Sequence, residues 1–93
     1  MRRAAKVDAN QKRVTDALKK MGFCVEYTHM IGKGVPDFVV GARGVNVWVE
    51  LKDGDKPASQ QKLTPDETKW HTRWTGQVLV AKNIDEIIDY INK

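Results

Sequence analysis

Two short runs rich in β-branched residues, 35–40 and 45–52, are separated by the glycine-bounded segment 41–44. Runs of this kind on either side of a glycine-containing turn predict two antiparallel strands joined as a β-hairpin. Side chains alternate between the two faces of a strand. The hairpin therefore determines which charged residues of this part of the chain can lie side by side.

Three ionisable residues are expected to meet on one face of this hairpin. Glu50 and Lys52 share a face of the second strand, whereas Val49 and Leu51 point to the other face. Asp37 lies on the partner strand and can reach the same place once the hairpin closes. Two carboxylates so close to each other repel unless a cation lies between them. The pattern therefore predicts a divalent metal site.

The composition is that of one soluble globular domain covering residues 1–93. Hydrophobic residues make up 41% of the chain and charged residues 30%, and the length allows only one core. No apolar run approaches the roughly 20 residues of a membrane span, and the first residues are charged rather than signal-like. We expect a cytoplasmic protein with no membrane association. Cys24 is the only cysteine, which excludes an intrachain disulfide and cysteine-ligated zinc, and its apolar surroundings predict a buried thiol.

Positive charge is concentrated in the first third of the chain. Residues 1–35 carry eight Lys or Arg and three Asp or Glu, so their net charge is +5, while the remaining residues sum to −1. A basic flank on a neutral body fits the binding of nucleic-acid phosphates, although the charge taken alone favours a solvated helix face. The candidate phosphate contacts are Arg2, Arg3, Lys6, Lys12, Arg13 and Lys33. Lys33, between two glycines, is the best placed.

The order of elements is predicted to be αβββαβα. A helix over residues 8–21, with Asp8 as N-cap and Gly22 after its end, precedes strands over 23–30, 35–40 and 45–52. A polar loop then leads to a helix over about 64–74, a strand over 77–81 and a final helix capped by Asn83. A strand–helix–strand connection favours parallel strands. The expected fold class is therefore α/β, with a mixed sheet flanked by helices.

Two polar residues of the predicted helices face inward. Gln11 lies on the apolar stripe of the first helix, where it either bonds the backbone of the first helical turn or orients a metal-bound water. Thr64 and Glu67 form a capping box at the start of the second helix. Glu67 also shares a helical stripe with Trp70 and His71, which we interpret as core residues.

The ordered set of motifs resembles the VRR-NUC family of viral-type replication and repair nucleases, within the PD-(D/E)xK superfamily. The residues that support this are the segments 34–37 (GVPD), 49–52 (VELK), 63–65 (LTP) and 70–71 (WH), in family order across nearly the whole chain. The resemblance implies a restriction-endonuclease-like fold, Mg²⁺ or Mn²⁺ dependence and hydrolysis of DNA phosphodiesters. It also implies a homodimer acting on branched DNA such as four-way (Holliday) junctions, in a virus-encoded protein that works inside the host cell.

The resemblance also implies a role for each residue of the site. Asp37, Glu50 and the backbone carbonyl of Leu51 would be metal ligands, and Lys52 would position the attacking water and offset phosphate charge. Gln11 would complete the catalytic set. The chain departs from the family in having amides near Gln11, where the family typically offers a glutamate, and Glu67 where glutamine is typical. A non-catalytic nucleic-acid-binding module, a flap or restriction-type nuclease, and a structural partner of a larger assembly are the alternatives.

Overall fold

The computed structural model describes residues 9–93, so Asp8 and the candidate phosphate contacts Arg2, Arg3 and Lys6 lie outside the described residues. The helices are α1 (Ala9–Lys20), α2 (Pro65–Arg73) and α3 (Ile84–Asn92), and the strands are β1 (Cys24–Tyr27), β2 (Phe38–Ala42), β3 (Val45–Leu51) and β4 (Val78–Ala81). The four strands form a sheet in the order β1-β2-β3-β4. β1, β2 and β3 are antiparallel, and β4 runs parallel to β3. The predicted αβββαβα order and mixed sheet are confirmed.

The hairpin turn is tighter than the predicted segment 41–44. Ala42 pairs with Val45, so Gly41 and Ala42 belong to β2 and the turn contains only Arg43 and Gly44. Both turn residues have positive φ, 53° and 78°. Positive φ at both central residues is typical of a type I′ turn, whose twist matches that of the strands it joins.

The segment between β1 and β2 is less extended than predicted. The first strand ends at Tyr27 rather than at residue 30, because a 3₁₀ turn, His29–Ile31, follows it. The second strand begins at Phe38 rather than at residue 35, after a loop in which residues 32–34 all have positive φ, between 56° and 83°. Extended strand geometry requires negative φ. This loop ends directly at Asp37, so it determines how that residue enters the sheet.

One face of the sheet carries the apolar core. The buried residues are Val14 and Leu18 of α1, Phe38 and Val40 of β2, Val47 and Val49 of β3, Ala81 of β4, and Ile87 and Ile91 of α3.

α1 ends in a Schellman motif, in which Gly22 has a φ of 89°. The N–H of Gly22 donates to the Lys19 carbonyl, and the N–H of Phe23 donates to the Leu18 carbonyl. Met21 lies beyond this end and is exposed. Within residues 9–93, no helix is long and apolar enough to cross a bilayer.

The other face of the sheet is covered by α2, and only in part. Trp70 and Trp74 of α2 stack with ring centroids 4.6 Å apart, and Trp48 of β3 packs against both, at 5.4 and 5.2 Å. α2 ends at Arg73 with Trp74 as C-cap, in agreement with the helix predicted over about 64–74. Cys24 lies on the same face beyond the reach of α2 and is exposed. The prediction of a buried thiol is therefore wrong.

Candidate active site

Asp37 lies at the end of the hairpin ladder and closes it with its side chain. Its backbone N–H donates to the carbonyl of Val49 at 2.9 Å. Its Oδ2 accepts the N–H of Leu51 at 2.8 Å, where a further residue of β2 would otherwise be the partner. Backbone and side chain of one residue thus hold Asp37 against the end of β3.

Glu50 and Lys52 lie beside Asp37 on the face that α2 covers, as the alternation predicts. Glu50 is only 3% exposed, although it is a carboxylic acid. Lys52 follows the last residue of β3, and its backbone N–H donates to the Ala81 carbonyl at 2.8 Å, which continues the parallel ladder. Its Nζ lies 3.8 Å from Glu50 Oε2. The structure therefore brings the three predicted ionisable residues together.

A fourth ionisable residue, Glu67, joins them from α2. Thr64 and Glu67 form the predicted capping box, with Thr64 Oγ1 accepting the Glu67 N–H at 3.2 Å and Glu67 Oε1 accepting the Thr64 N–H at 2.9 Å. The same Oε1 accepts a hydrogen bond from Lys52 Nζ at 2.9 Å. Glu67 was predicted as a cap, and its contact with Lys52 depends on how α2 lies over β3.

Burial and crowding of negative charge raise the pKa values of the two strand carboxyls. Burial, followed by the negative charges of Asp37 and Glu67, raises the pKa of Glu50 to about 9. Burial also raises the pKa of Asp37, against the opposing hydrogen bond from Leu51. Without a cation, the site therefore holds a proton on Glu50 at neutral pH.

Lys52 and Glu67 stay ionised because they pair with each other. Burial alone would lower the pKa of Lys52, but the hydrogen bond and charge of Glu67, with the charges of Glu50 and Asp37, outweigh it and raise the pKa. Burial alone would raise the pKa of Glu67, but the Lys52 and Thr64 hydrogen bonds outweigh it and lower the pKa. A lysine held in its charged form is poorly suited to act as a general base.

Asp37, Glu50 and Lys52 line an open cleft of about 310 Å³. The lining residues are Asp37, Glu50, Leu51, Lys52, Asp53, Lys56 and Gln60. Arg13, one of the candidate phosphate contacts, borders a second cleft of about 430 Å³ that shares Asp53 with the first.

The oxygen atoms of this site suit a hard divalent cation that takes few ligands from the protein and keeps several waters. Glu50 Oε1 is buried and has no hydrogen-bond partner among residues 9–93. The Leu51 carbonyl points to the same side of β3 as the Leu51 N–H that bonds Asp37, because both groups of a strand residue face one neighbour. In the described part of the chain, no cluster of three or more His, Cys, Asp or Glu side chains is placed to hold a metal. Two carboxylates, a carbonyl and waters match Mg²⁺, which typically takes one or two protein carboxylates.

The remaining predicted residues lie on α1 and on the loop before Asp37. Gln11 is buried on α1, and its catalytic role stays a prediction. Lys12 is exposed and pairs with Asp16 at 2.7 Å. Lys33 is exposed on the loop that leads to Asp37.

Gly34, beside Lys33, has a structural role that the motif did not reveal. Its φ is 83°, and a Cβ at this position would lie 2.2 Å from the Asp66 carbonyl oxygen in the first turn of α2. Only glycine allows this backbone approach. The Gly34–Asp37 segment therefore supports the start of α2 as well as supplying a carboxylate.

Comparison with known proteins identifies the fold. No protein-family model matches the chain, and no curated protein sequence matches it. A solved structure described as "VRR_NUC domain" is similar, with a TM-score of 0.63 and 26% sequence identity over 88% of this chain and 89% of that chain. The chain has a VRR-NUC fold. The predicted resemblance to the VRR-NUC family is thereby confirmed, together with the restriction-endonuclease-like α/β architecture.

Proposed function

We propose that this VRR-NUC chain is a metal-dependent, structure-selective DNA endonuclease that hydrolyses phosphodiesters, with branched DNA such as four-way junctions as substrate. The observation that carries the proposal is the convergence of Asp37, Glu50 and Lys52 in one open cleft. Buried carboxylates that crowd each other in this way need a cation, and a phosphodiester needs one for its hydrolysis. The VRR-NUC fold supports a nuclease over other uses of such a site.

Asp37, Glu50 and the Leu51 carbonyl would hold Mg²⁺ or Mn²⁺. A cation bound there supplies a water of lowered pKa and neutralises the charge that develops on the phosphoryl oxygens. Glu50 must lose its proton before it can act as a ligand, so metal binding is coupled to proton release. The hydrogen bond from Leu51 holds Asp37 in place for this role.

Lys52 contributes a fixed positive charge. Its side chain is protonated and lines the cleft. There the ammonium group can donate to a phosphate oxygen and orient the attacking water. Because the surrounding carboxylates raise its pKa, we assign it electrostatic positioning rather than proton abstraction.

DNA binding would depend on lysine and arginine residues around the cleft. Lys56 lines it directly, Lys33 lies on the loop before Asp37, and Arg13 lines the neighbouring cleft. Each phosphate neutralised by such a residue adds affinity that falls as salt concentration rises.

A homodimer would match the two-fold symmetry of a four-way junction, which needs two nicks. Sedimentation velocity at micromolar concentration tests this, with and without DNA. Monomer under both conditions contradicts it. The cytoplasmic location expected from the sequence stays a prediction.

A cleavage assay tests the function. Labelled four-way junction, flap and linear duplex are incubated with Mg²⁺, Mn²⁺ or a chelator, using the unchanged protein, Lys52→Ala, and Lys69→Ala as a control at an exposed lysine of α2. We expect metal-dependent cuts in the junction that Lys52→Ala abolishes and Lys69→Ala retains. Binding without cuts in every metal would instead support a non-catalytic module, for which the amides in place of a first-helix glutamate are the motivating observation.

A further inference from the structure

We propose that Glu67 is a positioning residue of this site, whose carboxylate holds Lys52 at the edge of the cleft and keeps it from neutralising Glu50. The inference rests on the proposed nuclease function for its catalytic consequence, but not for the contact itself. It concerns a residue at which this chain departs from the VRR-NUC pattern.

One oxygen atom of Glu67 serves two partners that come from different parts of the chain. Oε1 accepts the Thr64 N–H at the start of α2 and the Lys52 Nζ at the end of β3, each at 2.9 Å. The side chains of Lys52 and Glu67 are 12% and 17% exposed. A charge-assisted hydrogen bond that is shielded from water in this way is stronger than a surface ion pair.

The start of α3 shows that a capping glutamate does not need a lysine. Glu86 holds the same third helical position, donates its N–H to Asn83 Oδ1 at 3.0 Å and accepts the Lys82 N–H at 2.7 Å. Glu86 is exposed and forms no ion pair within residues 9–93. Capping therefore explains Glu86 completely, but it leaves the Lys52 contact of Glu67 unexplained.

A backbone contact fixes the position of the first turn of α2 relative to the site. Asp66, the residue before Glu67, is in backbone contact with Gly34, and a Cβ on Gly34 would collide with it. The contact joins α2 to the loop that carries Asp37. Glu67 is therefore anchored from two sides, which is what a residue needs in order to position another.

The carboxylates of Glu67 and Glu50 compete for the ammonium group of Lys52. Its Nζ lies 2.9 Å from Glu67 Oε1 and 3.8 Å from Glu50 Oε2. Once Glu50 has lost its proton, an ammonium without the charge of Glu67 would turn to Glu50 and satisfy the oxygens proposed to hold a cation. Glu67 thus keeps Lys52 available for the phosphate and Glu50 available for the metal.

Two substitutions separate the cap from the lysine contact. Glu67→Gln keeps a side chain that can cap a helix but removes its charge. Thr64→Ala removes the capping hydroxyl and leaves the Lys52 contact intact. Glu86→Gln is the matched control in α3.

The first readout is independent of cleavage. Metal-free protein is pulsed with a reductive methylation reagent, and the modification of Lys52 is quantified by mass spectrometry. We expect severalfold faster modification in Glu67→Gln, because Lys52 Nζ loses its charged partner while Glu50 stays protonated in the metal-free protein, and the unchanged rate in Thr64→Ala and Glu86→Gln. The second readout is junction cleavage, where we expect kcat to fall about 10- to 100-fold in Glu67→Gln, the usual effect of losing a group that orients an active-site ligand. KM should change little, because the substrate contacts remain.

The outcomes are distinguishable. Equal Lys52 modification in Glu67→Gln and Glu86→Gln would overturn the positioning role, and so would loss of folding in Glu67→Gln while Thr64→Ala remains folded. A protein that cuts no substrate, yet shows the expected modification pattern, would refute the nuclease function while supporting the Glu67–Lys52 contact.

Discussion

The two faces of β3 bury side chains of opposite character. On one face Val47 and Val49 are fully buried against α1 and α3, and on the other Glu50 is only 3% exposed although it can carry a charge. Burial stabilises the valines because it removes apolar surface from water, but it destabilises the ionised form of Glu50. Alternate residues of one strand thus serve folding and chemistry, and substitutions on the two faces should have separable effects.

The largest effect is expected from Glu50→Gln. We expect cleavage to fall at least about 10³-fold, because the metal-held charge contributes several kcal/mol to the transition state. The melting temperature of the metal-free protein at neutral pH should not fall and is expected to rise, because Gln folds without the proton that Glu50 must take up. Single-turnover cleavage and thermal unfolding measure the two quantities. Glu26→Gln, an exposed acid on the same face of β1, is the control, and a Glu50→Gln protein that cuts within tenfold of the unchanged one contradicts the assignment.

The reverse pattern is expected from Val49→Ala. Removing two buried methyl groups should cost about 1.5–3 kcal/mol of unfolding free energy, while kcat per folded molecule is retained. Urea unfolding and cleavage below the melting transition test this. Val80→Ala is the matched control, because Val80 is 39% exposed and should change stability by less than about 0.5 kcal/mol. Equal losses in the two variants would show that the apolar face does not hold the fold as described.

A smaller effect is expected at Gly34, where the loop that leads to Asp37 contacts the start of α2. Gly34→Ala should cost about 1–3 kcal/mol more than Gly32→Ala, because both positions have positive φ but only Gly34 would place its new Cβ against backbone atoms. Gly34→Ala should also reduce cleavage, since it displaces the start of α2. Chemical denaturation of both variants provides the comparison, and indistinguishable unfolding free energies would refute the close approach.

A further effect is a pH dependence of stability that belongs to the polar face alone. The pKa of Glu50 is raised from 4.5 to about 9 on folding, so the folded protein binds more protons than the unfolded chain between these values. The stabilisation is complete below about pH 4.5 and is lost as pH rises through 9, at no more than about 1.4 kcal/mol per pH unit. Urea unfolding in chelator at pH 5, 7 and 9 should show this fall in the unchanged protein and a shallower one in Glu50→Gln. Parallel curves would mean that Glu50 is not the titrating group.

Much of this fold follows from local rules. The hairpin, the helix caps at Thr64 and Asn83 and the side-chain alternation that groups Glu50 with Lys52 were all predicted from neighbours in the sequence and are present in the structure. Each depends on interactions over a few residues, such as a capping hydrogen bond or the pleat of a strand. The fold class followed from their order.

Local patterns failed where exposure depended on distant elements. Cys24 lies in an apolar run that predicts burial, but its side chain lies on a part of the sheet that α2 does not cover and is exposed. β2 starts three residues later than predicted, after a loop in which Gly34, at positive φ, closely approaches α2.

The residues of the candidate site could be predicted from the sequence, because side chains alternate between the two faces of a strand and the hairpin turn needs glycine. Their charges and ion pairs could not be predicted, because these depend on how closely α2 approaches β3. Glu67 reads as a helix cap from its neighbours alone, and it becomes the partner of Lys52 only when packing brings together two segments 15 residues apart. Coulombic and desolvation energies depend on distance and burial in space, which separation along the chain does not specify.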